Sequence, residues 1–191
     1  LFDAFGEFFE EKARLEKANI PYDNLLDPLA SNPDLRPKNE ISAIIKKQIE
    51  ALDIEIMKYY EQFDCYLHTI PGIGIIGAAT ILAEIGDISR FKNSSALVAF
   101  AGIDPTVRQS GEFNSTHNHM SKRGSPYLRH SIFLAATTCS FHNSPLNAYY
   151  KKKRDQGKHH LTATGAVARK LTTVIYAVLR DGKPYEPKKF C

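Results

Sequence analysis

The chain has 191 residues, of which 43% are hydrophobic and 24% charged, a composition that is typical of a globular protein and argues against a disordered one. The longest apolar stretch, 73–83, is interrupted by Gly74, Gly77 and Thr80 and falls short of the roughly 18 unbroken apolar residues of a membrane span, so we expect no membrane partner. The chain begins at Leu1 and shows no secretory leader, which favours a fragment of a cytoplasmic protein.

The charge is unevenly distributed along the chain. Residues 1–70 hold 8 Lys or Arg against 14 Asp or Glu, whereas residues 71–191 hold 17 against 7. A strongly basic region beside an acidic one indicates that the C-terminal region meets a polyanion, with nucleic acid as the leading candidate. The alternative is a basic face that only contacts water.

Residues 1–39 predict an N-terminal helix followed by a Pro-rich linker. The first 18 residues are amphipathic, with apolar side chains at roughly helical spacing. Residues 19–39 hold four prolines among Asn, Asp and Ser, a composition that breaks regular structure. We therefore expect a connecting segment before the next helix.

Residues 40–69 predict one long coiled-coil helix. Apolar residues recur here at alternating steps of four and three, with no Gly or Pro inside, and the positions between them are mostly charged or polar. We expect this helix to form an intermolecular or a hairpin coiled coil, the former giving a homo-oligomer; the alternative is a helix packed on its own globular domain. The apolar seam consists of Ile45, Ile49, Leu52, Ile56, Tyr59, Phe63, Tyr66 and Ile70.

Residues 70–85 have the pattern of a helix-hairpin-helix, in which a tight glycine turn joins two helices. Gly72 and Gly74 permit backbone torsions and close approaches denied to other residues, so that amides at the start of the second helix can face a phosphate. The alternative is a turn whose glycines serve packing only. In both cases we expect five apolar residues to lie in the core: Ala78, Ala79, Ile81, Leu82 and Ile85.

The rest of the 70–191 region predicts short helices with recognisable ends. Asn93 or Ser94 starts a helix through Ala101, and serines before prolines start two more, at Ser125 (through about Phe141) and at Ser144. The last helix, 162–180, ends at Asp181-Gly182, and its stripe Leu171, Val174, Ile175, Val178 and Leu179 belongs to the core. Only 102–112 favours a short ribbon or an ordered loop. The predicted fold is therefore mainly α: a long coiled-coil helix followed by a small helical domain.

A serine beside a glycine is the candidate chemical group. Ser110 precedes Gly111, and its hydroxyl could meet a phosphodiester whose charge nearby cations stabilise. Serines beside glycines are more often turn residues, which is the alternative here. The cations are Arg108, Lys122, Arg123 and Arg129.

A second basic cluster, Lys151-Lys152-Lys153-Arg154 with Lys158, lies between the pairs Tyr149-Tyr150 and His159-His160. Cations interleaved with aromatic rings are suited to nucleic acid, because they combine backbone charge with stacking groups. A solvated helix end is the equal alternative. The histidines and the three cysteines lack the spacing of a metal site.

Several motifs follow one another in a fixed order: Ile70-Pro-Gly-Ile-Gly74, Ala83-Glu-Ile-Gly-Asp87, Arg90-Phe91, Phe100-Ala-Gly-Ile-Asp-Pro105, Gln109-Ser-Gly111, Ser121-Lys-Arg-Gly124 and Leu128-Arg129. In this order they resemble the C-terminal transposase domain of the Piv-like, DEDD-type insertion-sequence transposases, bacterial recombinases guided by a bridge RNA. The resemblance covers roughly residues 40–185 and makes 70–191 the transposase domain.

The resemblance implies a composite active site. In that family an N-terminal RuvC-like domain supplies four acidic residues that hold Mg²⁺, and the C-terminal domain supplies a serine that attacks the DNA strand. The family's serine falls on Ser110, and Ser121 is its rival. The implied nucleic-acid-binding residues are Gly72, Gly74, Arg108, Gly111, Ser121, Lys122, Arg123 and Arg129.

Residues 1–39 are too short to contain the RuvC-like domain, so we expect no cofactor in this chain and no activity from it alone. In the full-length enzyme, the resemblance implies DNA and a guide RNA as partners. The alternative function is a non-catalytic module that binds nucleic acid and forms oligomers, which explains the charge distribution and the heptads without a role for Ser110.

Overall fold

The computed structural model describes residues 36–106, 109–110, 113–114, 119–142 and 145–187, with the backbone only for 36–41, 109–110 and 113–114. Six α-helices make the fold mainly α, as predicted. They are α1 (Arg36–Tyr60), α2 (Ile75–Ile85), α3 (Ser94–Phe100), α4 (Pro126–Phe141), α5 (Pro145–Asp155) and α6 (His160–Asp181). Two 3-10 turns (Leu67–Thr69 and Ile88–Arg90) and a two-stranded ribbon, β1 (Gln109–Ser110) with β2 (Phe113–Asn114), complete the described elements. The helix predicted at the N-terminus lies outside the described residues.

The chain divides into two compact units between Phe63 and Asp64. In the first unit, α1 has the predicted amphipathic pattern: the seam residues Ile45, Ile49, Leu52, Ile56 and Tyr59 are half-buried or buried, while Lys46, Lys47, Glu50 and Glu55 are exposed. None of the described helices is long and apolar enough to cross a membrane.

Helix α1 ends at Tyr60, whereas the heptad pattern predicts a helix through residue 69. The last helical-type bond runs from Glu61 N to Met57 O (3.0 Å), after which the amides of 62 and 63 bond to carbonyls only three residues back. This tightening turns the chain out of the helix without Gly or Pro. The predicted seam residues Phe63, Tyr66 and Ile70 therefore lie beyond the helix.

The core of the second unit is built around α6. This helix packs against α3, α4 and α5, while α2 packs against α4. The predicted stripe of α6 is confirmed, except that Leu179 is only half-buried, and all five predicted core residues of α2 are buried. Burial of these apolar side chains is the main favourable contribution to folding here.

The predicted helix boundaries of the second unit are confirmed because they rest on local caps. Asn93 accepts a hydrogen bond from Ala96 N at 2.9 Å, and Ser125 accepts one from Leu128 N at 3.0 Å. Gly182 ends α6 in the left-handed conformation, with its amide bonded to the Val178 carbonyl at 3.1 Å. Helix α5 begins at Pro145 as expected.

The glycine turn at 70–74 differs from the expected helix-hairpin-helix in its first arm. The element before the turn is the three-residue 3-10 turn Leu67–Thr69, and α2 is the second arm. Gly72 has a φ of 89° and lies against α4, where a Cβ would come within 2.7 Å of the Cys139 sulfur. That sulfur donates a hydrogen bond to the Pro71 carbonyl at 2.6 Å. Packing therefore accounts for Gly72.

Candidate nucleic-acid interface

Two segments cross at the centre of the candidate site: residues 100–106, which begin with the last residue of α3, and residues 119–124, which precede α4. The closest points of approach are glycines. A Cβ on Gly102 or on Gly124 would overlap a backbone carbonyl of the other segment, and both residues have positive φ, 66° and 87°. We call this arrangement the crossing. It joins two motifs that the sequence presents separately.

Hydrogen bonds join the two segments of the crossing between residues 104–106 and residues 119–121. The Ser121 amide donates to the Asp104 carbonyl at 2.9 Å, and the Ser121 hydroxyl donates to the Asp104 carboxylate. The amide and the hydroxyl of Thr106 both donate to the His119 carbonyl, at 2.7 and 3.0 Å. These bonds join the two ends of segment 107–118.

The segment between the two halves of the crossing carries the predicted nucleophile. Ser110 lies in β1 and pairs with Phe113 of β2, so it belongs to a two-stranded ribbon, as the pattern at 102–112 predicts. The other pair is Gln109 with Asn114. Arg108 and Gly111 lie outside the described residues, and only the backbone of Ser110 is described.

Two of the predicted cations are presented to solvent by the crossing. Lys122 and Arg123 are both exposed. Lys122 adopts a φ of 53°, rare for a residue with a side chain, and its amide donates to the Gly102 carbonyl at 3.0 Å. Within the described part of the chain, neither cation pairs with a carboxylate. Their charges are therefore available to an anion.

Two other arginines brace the crossing from the helices. Arg129 of α4, predicted to meet phosphate, is half-buried and donates to the Ala101 carbonyl at 3.3 Å. Arg169 of α6 donates to the Ile103 carbonyl at 3.3 Å. Arg169 is not among the predicted site residues, because a contact across 66 residues leaves no local pattern in the sequence. Its place beside the core stripe of α6 is the one sequence feature that could have predicted a structural role for Arg169.

The predicted phosphate contacts do not form one group. Ser125, at the start of α4, donates to Glu84 at the C-terminal end of α2 with an O–O distance of 2.5 Å, which ties that end of α2 to the crossing. Gly74 is the exposed N-cap at the opposite end of α2, about 15 Å away at 1.5 Å per residue. Gly72 and Gly74 are therefore remote from Lys122.

The region that contains the crossing is similar to known proteins. Residues 64–151 match the family described as "Transposase IS116/IS110/IS902 family". An uncharacterized 43.6 kDa protein of insertion element IS110 from Streptomyces coelicolor is 33% identical over 147 residues, which are 75% of this chain and 36% of that protein. These matches support an insertion-sequence transposase.

Two further relatives extend the similarity. The uncharacterized 42 kDa protein of insertion element IS900 from Mycobacterium paratuberculosis is 28% identical over 94% of this chain and 48% of its own length. The pilin gene-inverting protein of Moraxella bovis is 33% identical over 64% of this chain and 38% of its own length. The chain thus spans between about a third and a half of these relatives. The transposase match contains the glycine turn and the whole crossing, whereas α6 lies beyond it.

The transposase resemblance implies Mg²⁺, and the described residues do not provide a place for it. Among them, no three His, Cys, Asp or Glu side chains are grouped so that they could hold a metal ion. The Asp104 carboxylate accepts the Ser121 hydroxyl and belongs to the crossing.

Proposed function

We propose that this chain is the DNA-binding C-terminal part of a Piv-like, DEDD-type insertion-sequence transposase, and that Ser110 is the nucleophile of strand exchange. One observation supports the proposal: Ser110 lies in a two-stranded ribbon within the segment whose two ends the crossing joins, and the crossing itself presents the exposed Lys122 and Arg123. A hydroxyl in a segment anchored by exposed cations suits attack on a phosphodiester.

The proposed step exchanges one phosphate ester for another. The Ser110 hydroxyl oxygen forms a bond to the DNA phosphorus while the bond from phosphorus to one sugar oxygen breaks. The serine proton leaves, and the departing sugar oxygen takes up a proton. Lys122 and Arg123 offset the negative charge that develops on the phosphate. Because an ester replaces an ester, the step is reversible and the DNA strand can be rejoined to a new end.

The remaining parts of the proposal concern the full-length enzyme. An acidic domain outside this chain would hold Mg²⁺, which supplies activation of the reacting oxygens. Helix α1 would pair between copies through its apolar seam, and the exposed N-terminus of α2 at Gly74 would contact a phosphate in the manner of a helix-hairpin-helix. A guide RNA would select the DNA target.

The test of the nucleophile is strand transfer by the full-length transposase with its RNA and Mg²⁺, with trapping of any covalent protein–DNA species. Ser110→Ala should abolish the adduct, while Ser121→Ala should retain it, because Ser121 serves to fasten the crossing. An adduct that survives in Ser110→Ala would refute the assignment. If the wild-type protein shows neither strand transfer nor a covalent adduct, the non-catalytic binding module is favoured.

DNA binding is tested separately on the 191-residue chain. Replacing Lys122 and Arg123 together by Gln should weaken duplex binding and lower the slope of log affinity against log salt by about 2, since each phosphate contact contributes about 0.9. The matched control replaces Lys46 and Lys47, also adjacent and exposed, and removes the same charge. Equal losses in both variants would show that only net charge matters.

A further inference from the structure

A patch of aromatic rings, remote in sequence from the serine ribbon, is formed where α4, α5 and α6 meet. It consists of Phe141 at the end of α4, Tyr150 in α5 and His160 at the start of α6, and we call it the aromatic patch. The three ring centroids lie 5.9 to 6.2 Å apart. The Tyr150 hydroxyl and His160 Nδ1 are hydrogen-bonded at 2.6 Å, which fixes two of the rings relative to each other.

The third ring is open to solvent. Phe141 is 68% exposed, although Tyr150 and His160 beside it are half-buried. Leaving a phenyl ring in water forgoes the free energy of burying it. A single exposed apolar side chain is ordinary on a protein surface. Phe141, however, adjoins two rings that are hydrogen-bonded to each other, so the patch presents a mostly exposed phenyl ring beside two fixed rings.

The surroundings of the patch are positively charged. Arg154 lies one helical turn after Tyr150 on the same side of α5, and its guanidinium is held by the Lys158 carbonyl at 2.8 Å, two residues before His160. Lys151 and Lys152 are exposed on the same helix. Asp155 is the one acidic residue between Tyr150 and His160. Charge complementarity thus selects a polyanion over an apolar peptide or a second copy of this basic region.

We propose that the aromatic patch binds an unpaired nucleobase of a single-stranded nucleic acid, with Phe141 stacking on the base and Arg154, Lys151 and Lys152 meeting the flanking phosphates. Every base offers a π face to an aromatic ring, but only a base outside a duplex has that face free. The inference rests on the proposed nucleic-acid function. It adds to the crossing a second contact, which prefers single strands to duplexes.

The test measures binding of the 191-residue chain to fluorescent oligo-dT and oligo-U of equal length and to a duplex. Phe141→Ala should weaken single-strand binding by roughly 5- to 150-fold, the range that loss of one stacked base produces, with little change for the duplex. Phe141→Trp should preserve it. The matched control is Leu134→Ala, which removes another exposed apolar side chain (61%) from the same helix. Comparing oligo-dT with oligo-U identifies which strand chemistry the patch prefers.

The two kinds of contact differ in their response to salt. For single-strand binding, Phe141→Ala should leave the slope of log affinity against log salt unchanged, whereas Lys151→Gln should reduce it by about 0.7. Equal single-strand affinities of Phe141→Ala and Leu134→Ala would overturn the inference, even if duplex binding through Lys122 and Arg123 persists. If Phe141→Ala instead alters the oligomeric state with single-strand affinity unchanged, the patch is a protein interface. Absence of any nucleic-acid binding by the wild-type chain would refute the proposed function as well.

Discussion

The helical core and the crossing are held together by different forces. In the core, α6 packs on its neighbours through fully buried side chains such as Leu171 and Ile175. At the crossing, two loop segments approach through glycines and are joined by hydrogen bonds between backbone groups and a serine–aspartate pair. Apolar packing tolerates many side chains of suitable volume, whereas a position where backbone lies against backbone has no room for any side chain.

This difference bears on where the proposed chemistry lies. The crossing combines buried residues such as Ile103 with exposed ones, so it is anchored to the core and can still present Lys122 and Arg123 to a ligand. A site made of core residues would have to leave those groups in an apolar interior, where an unpaired charge is costly. The core thus supplies stability, and the crossing supplies position.

The largest expected effect is loss of a core side chain. Leu171→Ala should lower the free energy of unfolding by about 3 to 5 kcal/mol, because Leu171 is fully buried and its removal leaves a cavity. Leu134→Ala, on an exposed position of α4, should change it by about 0.5 kcal/mol or less. Urea denaturation followed by circular dichroism measures both. Similar losses in the two variants would show that α6 is not the centre of the core.

The next largest effect concerns the crossing. Gly124→Ala should cost about 2 to 3 kcal/mol, from a positive φ and from overlap with a backbone carbonyl. Gly157→Ala is the matched control: its φ is 74°, but nothing lies within 4 Å of a Cβ there, so only the torsional cost of about 1 kcal/mol applies. The same denaturation experiment compares them. Equal costs would mean that the close approach contributes nothing.

A pH effect distinguishes the core from the exposed site. Burial raises the pKa of the Cys139 thiol from its ordinary value of 9.0 to about 11. Above pH 9 the unfolded chain therefore loses this proton while the folded chain keeps it. Stability should fall by about 2 kcal/mol as the pH rises from 9 to 11. Cys139→Ser, which retains a donor for the Pro71 carbonyl, should lack this component; a parallel decline in both proteins would contradict the assignment.

The smallest effect is expected from the bond between Ser121 and Asp104. Ser121→Ala removes the hydroxyl that donates to Asp104 and should cost about 1 kcal/mol. Hydrogen exchange should then accelerate at the amides of Thr106 and Ser121, while the amides of α6 keep the protection of the wild type. Unchanged exchange at the two crossing amides would show that the backbone bonds alone close the loop.

Local signals in the sequence predicted most of the second unit. The caps at Asn93, Ser125 and Gly182 fix helix ends through contacts within a few residues, and so they can be read from the chain. Periodicity identified the buried faces of α2 and α6 for the same reason. These features depend only on neighbours in sequence.

Features that depend on distant parts of the chain could not be predicted in this way. The heptad pattern continues past Tyr60 as far as Ile70, which is apolar for another reason: it is buried in the second unit. The close approach of Gly72 to Cys139, and that of Gly102 to the 119–124 segment, join residues far apart in the chain. The motifs at 100–105 and 121–124 were identified by resemblance, but their union in one crossing is a property of the fold.

The most direct test of the central claim is to locate the DNA on the trapped protein. A protease that cuts after glutamate cleaves at Glu112 and so separates Ser110 from Ser121, which trypsin would leave together in 109–122. Mass spectrometry of the adduct from the full-length transposase should find the nucleotide on the peptide that ends at Glu112. A nucleotide on the peptide that contains Ser121 would contradict the proposal and move the chemistry from the ribbon to the crossing itself.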